Sequence, residues 1–139
     1  MLESRVPVYS IPGKLEVQWA AGAKAIIDGW LNYGVSLADF REAVLVRGLN
    51  YAKQNGGRAW VVDSSRANGL FSDEIQKFIG TDVFPAFAKS GIKYFATISS
   101  KSSLTNLSIG AYKAKLGPNG MKLLELGSVE QALQWLKAN

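Results

Sequence analysis

Arg58-Ala59-Trp60-Val61-Val62-Asp63 is a four-residue apolar run closed by a charge at each end. A short uninterrupted run of this kind is the pattern of a strand covered on both faces, which is how strands sit in parallel sheets packed between helices. Upstream, Ser36 opens a helical pattern with Asp39 three residues on, a variant of the capping box. Leu37, Phe40, Val44, Leu45, Leu49 and Ala52 then fall on one stripe. Asn55-Gly56-Gly57 supplies residues that tolerate the left-handed conformation needed to end that helix.

Farther upstream, Leu15, Val17 and Trp19 alternate with Glu16 and Gln18, the period of a half-buried strand. Ala21-Gly22 turns the chain, and Ala23 to Trp30 reads as the returning strand. Downstream of Asp63, Ser72 caps a second helix with Asp73 and Glu74 in its first turn, where the helix dipole favours acids. Its apolar face runs through Ile75, Phe78, Ile79, Val83 and Phe87, and Pro85 is expected to kink or break it near Gly80 to Phe84. Ile92 to Ser99 is another buried strand. Ser103 or Thr105 starts a third helix through Leu116, Gly117-Pro118-Asn119-Gly120 is a turn, and Met121 to Leu126 is the last strand. Ser128 and Gln131 form a capping box for a terminal helix packed through Val129, Ala132, Leu133 and Leu136.

A hairpin followed by strictly alternating strands and helices specifies an α/β fold. The expectation is a mostly parallel four- to five-stranded sheet with an N-terminal hairpin and about four helices, in one domain over residues 1–139. Residues 59–62 and 92–98 should be adjacent, parallel and central. Asn32 to Val35, Ser64 to Phe71 and Ser100 to Ser103 all leave the carboxyl ends of parallel strands, so they share one rim, where open α/β sheets place their ligands.

Composition excludes much chemistry. The chain has 139 residues with no cysteine and no histidine, which removes thiol nucleophiles, disulfides, the usual zinc clusters and imidazole-based triads. Sixteen basic against 11 acidic residues give a net charge of +5, but the bases are scattered from Arg5 to Lys137. That distribution suits solubility and argues against specific nucleic-acid binding. No stretch has the roughly 18 apolar residues of a membrane-spanning helix, and Met1-Leu2-Glu3-Ser4-Arg5 lacks the features of a secretory signal, so a cytoplasmic protein is expected. No glycine fingerprint follows a strand, and the Ser99-Ser100-Lys101-Ser102-Ser103 loop lacks P-loop spacing, so no cofactor is expected.

Three stretches carry a resemblance: Trp30 with Ser36-Leu37-Ala38-Asp39-Phe40-Arg41, Ala59-Trp60-Val61-Val62-Asp63, and Ser72-Asp73-Glu74-Ile75. With Phe84-Pro85, Gly91-Ile92-Lys93 and the ending Glu130 to Leu136, they resemble the bacterial anti-sigma-factor antagonist (STAS) superfamily, in its small stand-alone branch, over about residues 15–137. The resemblance implies a non-enzymatic regulatory or protein-interaction module with a protein partner, switched by serine phosphorylation near a helix N-terminus. The family segment has the form Asp-Ser-Ser/Ala-Gly before the helix. Here Asp63-Ser64-Ser65 is followed by the longer Arg66-Ala67-Asn68-Gly69-Leu70-Phe71. The fold is also similar to the core of CRAL-TRIO lipid-binding domains, which supports an alternative role as carrier or sensor of a small hydrophobic or amphipathic ligand at the rim.

The candidate switch or partner-binding residues are therefore Asp63, Ser64, Ser65, Arg66 and Ser72. Against that reading, Ser72 can serve simply as a helix cap and Asp63 as a turn-stabilising acceptor. Trp30, Tyr33 and Phe71 are the aromatics nearest the rim and the candidate ligand-lining residues, although aromatics at such junctions commonly fill the core. The sequence assigns no catalytic or metal-binding residue and leaves a homodimer open.

Overall fold

A computed structural model of the chain describes residues 4–116 and 120–139. Six strands form one sheet in sequential order: β1 (Val6–Ile11), β2 (Leu15–Ala20), β3 (Ala25–Trp30), β4 (Ala59–Asp63), β5 (Tyr94–Ile98) and β6 (Lys122–Leu126). The first three are an antiparallel meander, and β3 to β6 run parallel. Strands β4 and β5 are adjacent, parallel and interior to the sheet, as their apolar runs require.

Helix α1 covers residues 37–54, α2 residues 73–89, α3 Ser103–Lys113 and α4 Val129–Ala138. The caps are those written in the sequence. Ser36 accepts from Asp39 N, Ser72 from Ile75 N, and Ser128 from Gln131 N. The Gln131 side chain returns its bond to Gly127 N, one residue outside the capping-box position.

The first three helices pack on one face of the sheet, and α4 packs on the other. Each crossover steps the same way along the sheet, and crossovers of constant hand and direction leave their helices on one side. Helix α4 follows β6 and packs Val129, Ala132, Leu133 and Leu136 on the opposite face. Strand alternation divides the core accordingly: Ile26, Trp60, Val62 and Phe95 face α1 to α3, while Ile27, Val61, Ala96 and Ile98 face α4.

Four expectations need correction. The sheet has six strands, because Val6–Ile11 adds an edge strand that Pro7 and its half-exposed pattern conceal. Proline is tolerated there because the strand is at the edge, and the register shifts between Pro7 and Tyr9. The second hairpin turn uses all of 21–24, with Lys24 left-handed, so β3 starts at Ala25. Pro85 does not break α2, although the irregularity falls where it was expected. The helix widens to a π-turn over Ile79–Val83 and resumes α geometry at Phe84–Lys89. A proline lacks the N–H that would bond four residues back and crowds that carbonyl, and the wider turn accommodates both effects. Helix α1 carries a similar wide stretch over Glu42–Leu49. Helix α3 ends at Lys113, short of Leu116. The readings of Gly117-Pro118-Asn119 as part of a turn and of Met1-Leu2-Glu3 lie outside the described residues.

Candidate functional site

The three loops at the carboxyl ends of β3, β4 and β5 form one knitted rim. Tyr33 N donates to Asn68 O, and Asn68 N to Leu31 O, joining the first loop to the second. Ser100 Oγ donates to Ala67 O at 2.7 Å, and Thr105 Oγ1 to Gly69 O at 2.8 Å, joining the second to the third loop and to α3. Phe71 N donates to Ser108 Oγ, which closes the second loop against α3.

The switch candidates all sit on this rim, but in unlike environments. Asp63 Oδ1 accepts from Ser65 N at 3.0 Å and Ser65 Oγ at 2.7 Å, an Asx turn that starts the loop. Ser64 is fully buried and shares a 2.5 Å hydrogen bond with the Tyr33 hydroxyl. Arg66 is exposed, Ser65 is half-buried, and exposed Ser72 holds the α2 cap. The accessible hydroxyls of the set thus belong to Ser65 and Ser72.

The aromatic candidates lie just beneath the rim and are buried. Tyr33 and Phe71 stack face to face with centroids 3.9 Å apart, and Trp30 stands edge-on to both at 5.2 and 5.1 Å. Trp30 and Phe71 line a cavity of about 30 Å³; Tyr33 stands behind Phe71 and is not part of its wall. Burial pushes the Tyr33 hydroxyl up to about 12 and raises Tyr112, 3.4 Å from it, well above the ordinary tyrosine value. Both are neutral hydrogen-bonding groups at physiological pH.

The cavity also holds a residue that the sequence reading passed over. Asp28, in the middle of β3, is 2% exposed and lies on the same sheet face as Ile26 and Trp30. Its Oδ2 accepts from Trp60 Nε1 at 2.8 Å, whereas Oδ1 has no hydrogen-bond partner among the described residues. Burial drives its pKa from 3.8 up to about 7, with the Trp60 bond pulling the other way. The signal was present in Ala25-Ile26-Ile27-Asp28-Gly29-Trp30: an acid inside an otherwise apolar strand. Trp60 itself is held by close packing. It stacks on Phe87 at 4.2 Å, and a Cβ at Gly48 would come within 2.7 Å of the indole ring.

A second feature invisible to periodicity is on the outside of the rim. Leu70, Leu104 and Leu107 are 47%, 57% and 67% exposed. They lie on two segments bonded to each other through Gly69, Phe71, Thr105 and Ser108. No group of three or more potential metal-ligating side chains occurs among the described residues, and none of their helices is long and apolar enough to cross a membrane.

The chain matches no family model, no curated protein and no solved structure.

Proposed function

We propose that this protein is a non-enzymatic regulatory module of the anti-sigma-factor antagonist-like type, which docks a protein partner on the carboxyl-end rim of its sheet. The exposed leucine group Leu70, Leu104 and Leu107 carries this reading. Large apolar side chains clustered on a polar surface are what a partner's apolar surface buries. They flank the loop that leads to Ser72, an accessible hydroxyl at a helix N-terminus. A phosphate there gains from the N-terminal dipole and is opposed by Asp73 and Glu74 in the same turn. The domain therefore keeps its shape, and the added charge is felt by the docked partner. The deeply buried Ser64 takes a structural role in this scheme, with Ser65 as the secondary acceptor.

The test starts with a photo-crosslinking side chain at position 70 or 107, and with a control at exposed Lys53 on α1. A partner captured from the rim positions and not from the control is then purified and titrated. Leu104→Glu/Leu107→Glu should weaken binding at least tenfold while the melting temperature stays within a few degrees of wild type. Unchanged affinity would sink the docking surface. Ser72→Asp should shift affinity several-fold; if it binds like wild type, the switch is wrong and the module is a constitutive adaptor.

A further inference from the structure

The cavity beneath the rim makes an unusual chemical combination. Thirteen residues line it; eight are aromatic, and Asp28 is the charged one among them. Buried carboxylates are ordinarily satisfied by several donors, yet Oδ1 has none among the described residues, and Trp60 alone serves Oδ2. A water in this space would meet few polar partners, because the neighbouring Tyr112 hydroxyl is already engaged with Tyr33. The guest that suits this wall and its volume of about 30 Å³ brings one strong donor and no more than one or two heavy atoms.

Charge decides between the candidate donors. An alcohol would supply one neutral hydrogen bond and leave the carboxylate's charge uncompensated. A protonated amine supplies the donor, pairs the charge, and sits among aromatic rings, which attract cations through their faces. Val44 lies in the wide stretch of α1, and Ile79 and Val83 in the π-turn of α2, and such turns are frequent at functional sites.

We infer that the cavity, at about 30 Å³, is a binding site for a methylammonium-sized ion, held by Asp28 Oδ1 within the aromatic wall of Trp30, Trp60, Phe71 and their neighbours. This site is separate from the leucine surface of the rim and stands or falls independently of it. The groups facing Asp28 are Trp60 from β4, Tyr112 from α3 and Tyr33 from the loop after β3, and both tyrosines stay neutral. Guest binding therefore follows the ionisation of Asp28, strengthening as the pH rises through about 7.

The experiment is a calorimetric titration of the full chain with methylammonium chloride at constant ionic strength, beside methanol. We expect saturable one-to-one binding of the amine, at least tenfold weaker binding of the alcohol, and about tenfold weaker amine binding at pH 6 than at pH 8. Asp28→Asn should lose at least tenfold in amine affinity. In wild type, the Trp60 indole N–H resonance should shift along the same saturation curve, a readout that needs no variant. Equal binding of alcohol and amine, no saturable binding, full affinity in a folded Asp28→Asn chain, or a Trp60 resonance that stays still at saturation would each overturn the site.

Discussion

The two faces of the sheet are packed on different plans. Against α4, the sheet offers Ala20, Ala25, Ala59 and Ala96 among branched residues, and the helix answers with Ala132, Leu133 and Leu136. Small side chains let one helix lie close and seal its face. Against α1, α2 and α3, the sheet offers Trp19, Trp30, Trp60 and Phe95, and the helices answer with more phenylalanine. Three helices on one face leave wider spaces between elements, and large rings fill them incompletely. The buried acid and the cavity are both on this second face. The small-residue packing and the buried acid are thus on opposite faces of the sheet.

The largest test of that contrast is the charge on the aromatic face. Asp28 holds its proton to about pH 7 when folded and to about 3.8 at its ordinary value. Between those limits the folded chain binds the extra proton. Its stability therefore falls as the pH rises from about 4 to about 7, by up to roughly 4 kcal/mol, and the loss is complete above. Asp28→Asn lacks this loss, so urea unfolding at pH 4.5 and pH 8 should show the variant gaining on wild type at the higher pH. A constant difference between the two proteins across that range would mean that Asp28 is better solvated than its burial implies.

Adding volume should have opposite signs on the two faces. Ala132→Leu keeps helix propensity but forces atoms into the sealed face, and should cost about 2 kcal/mol. Val44→Ile adds one methylene beside the cavity and should be neutral or stabilising by up to about 0.8 kcal/mol. Denaturant midpoints for the pair decide it, and two equal losses would erase the proposed difference in packing.

The smallest effect should be the same on both faces. Ser72→Ala removes the cap of α2 and Ser128→Ala that of α4, each bonded over three residues at 3.1 and 3.2 Å. Each should cost about 1 kcal/mol, since a cap is a local hydrogen bond indifferent to which face its helix covers. A cost several times larger at Ser72 would show that the rim depends on that hydroxyl for more than capping.

Much of this architecture is written locally. An apolar run bounded by charge placed β4 and a second largely apolar run placed β5, serines three residues ahead of a free backbone N–H placed the caps, and strand–helix alternation made the sheet mostly parallel and set three loops on one rim. These features depend on residues a few positions apart, so they survive being read one segment at a time. Edge strand β1 was the weak case. Pro7 and a half-exposed pattern hid it, although Pro12-Gly13, with Gly13 at φ 73°, already marked the turn that follows.

The site was only partly legible. Trp30 and Phe71 were placed near the rim, but Tyr33 belongs behind the cavity wall and Asp28 in it. Sequence shows that an acid interrupts β3; it does not show that the acid is nearly solvent-free, that Trp60 from the next strand reaches one of its oxygens, or that nothing among the described residues reaches the other. Nor does periodicity reveal that Gly48 is needed so that Trp60 can lie against α1, or that three leucines end outside the core. From β2 onward, the sequence alone determined which segments become strands and helices, because propensity, capping and alternation act over one or two turns of chain. Tertiary structure alone decided the cavity and its charge. Volume, solvation and hydrogen-bond completeness at one point are sums over side chains from β3, β4, β5 and all three helices of that face, and no single segment contains them.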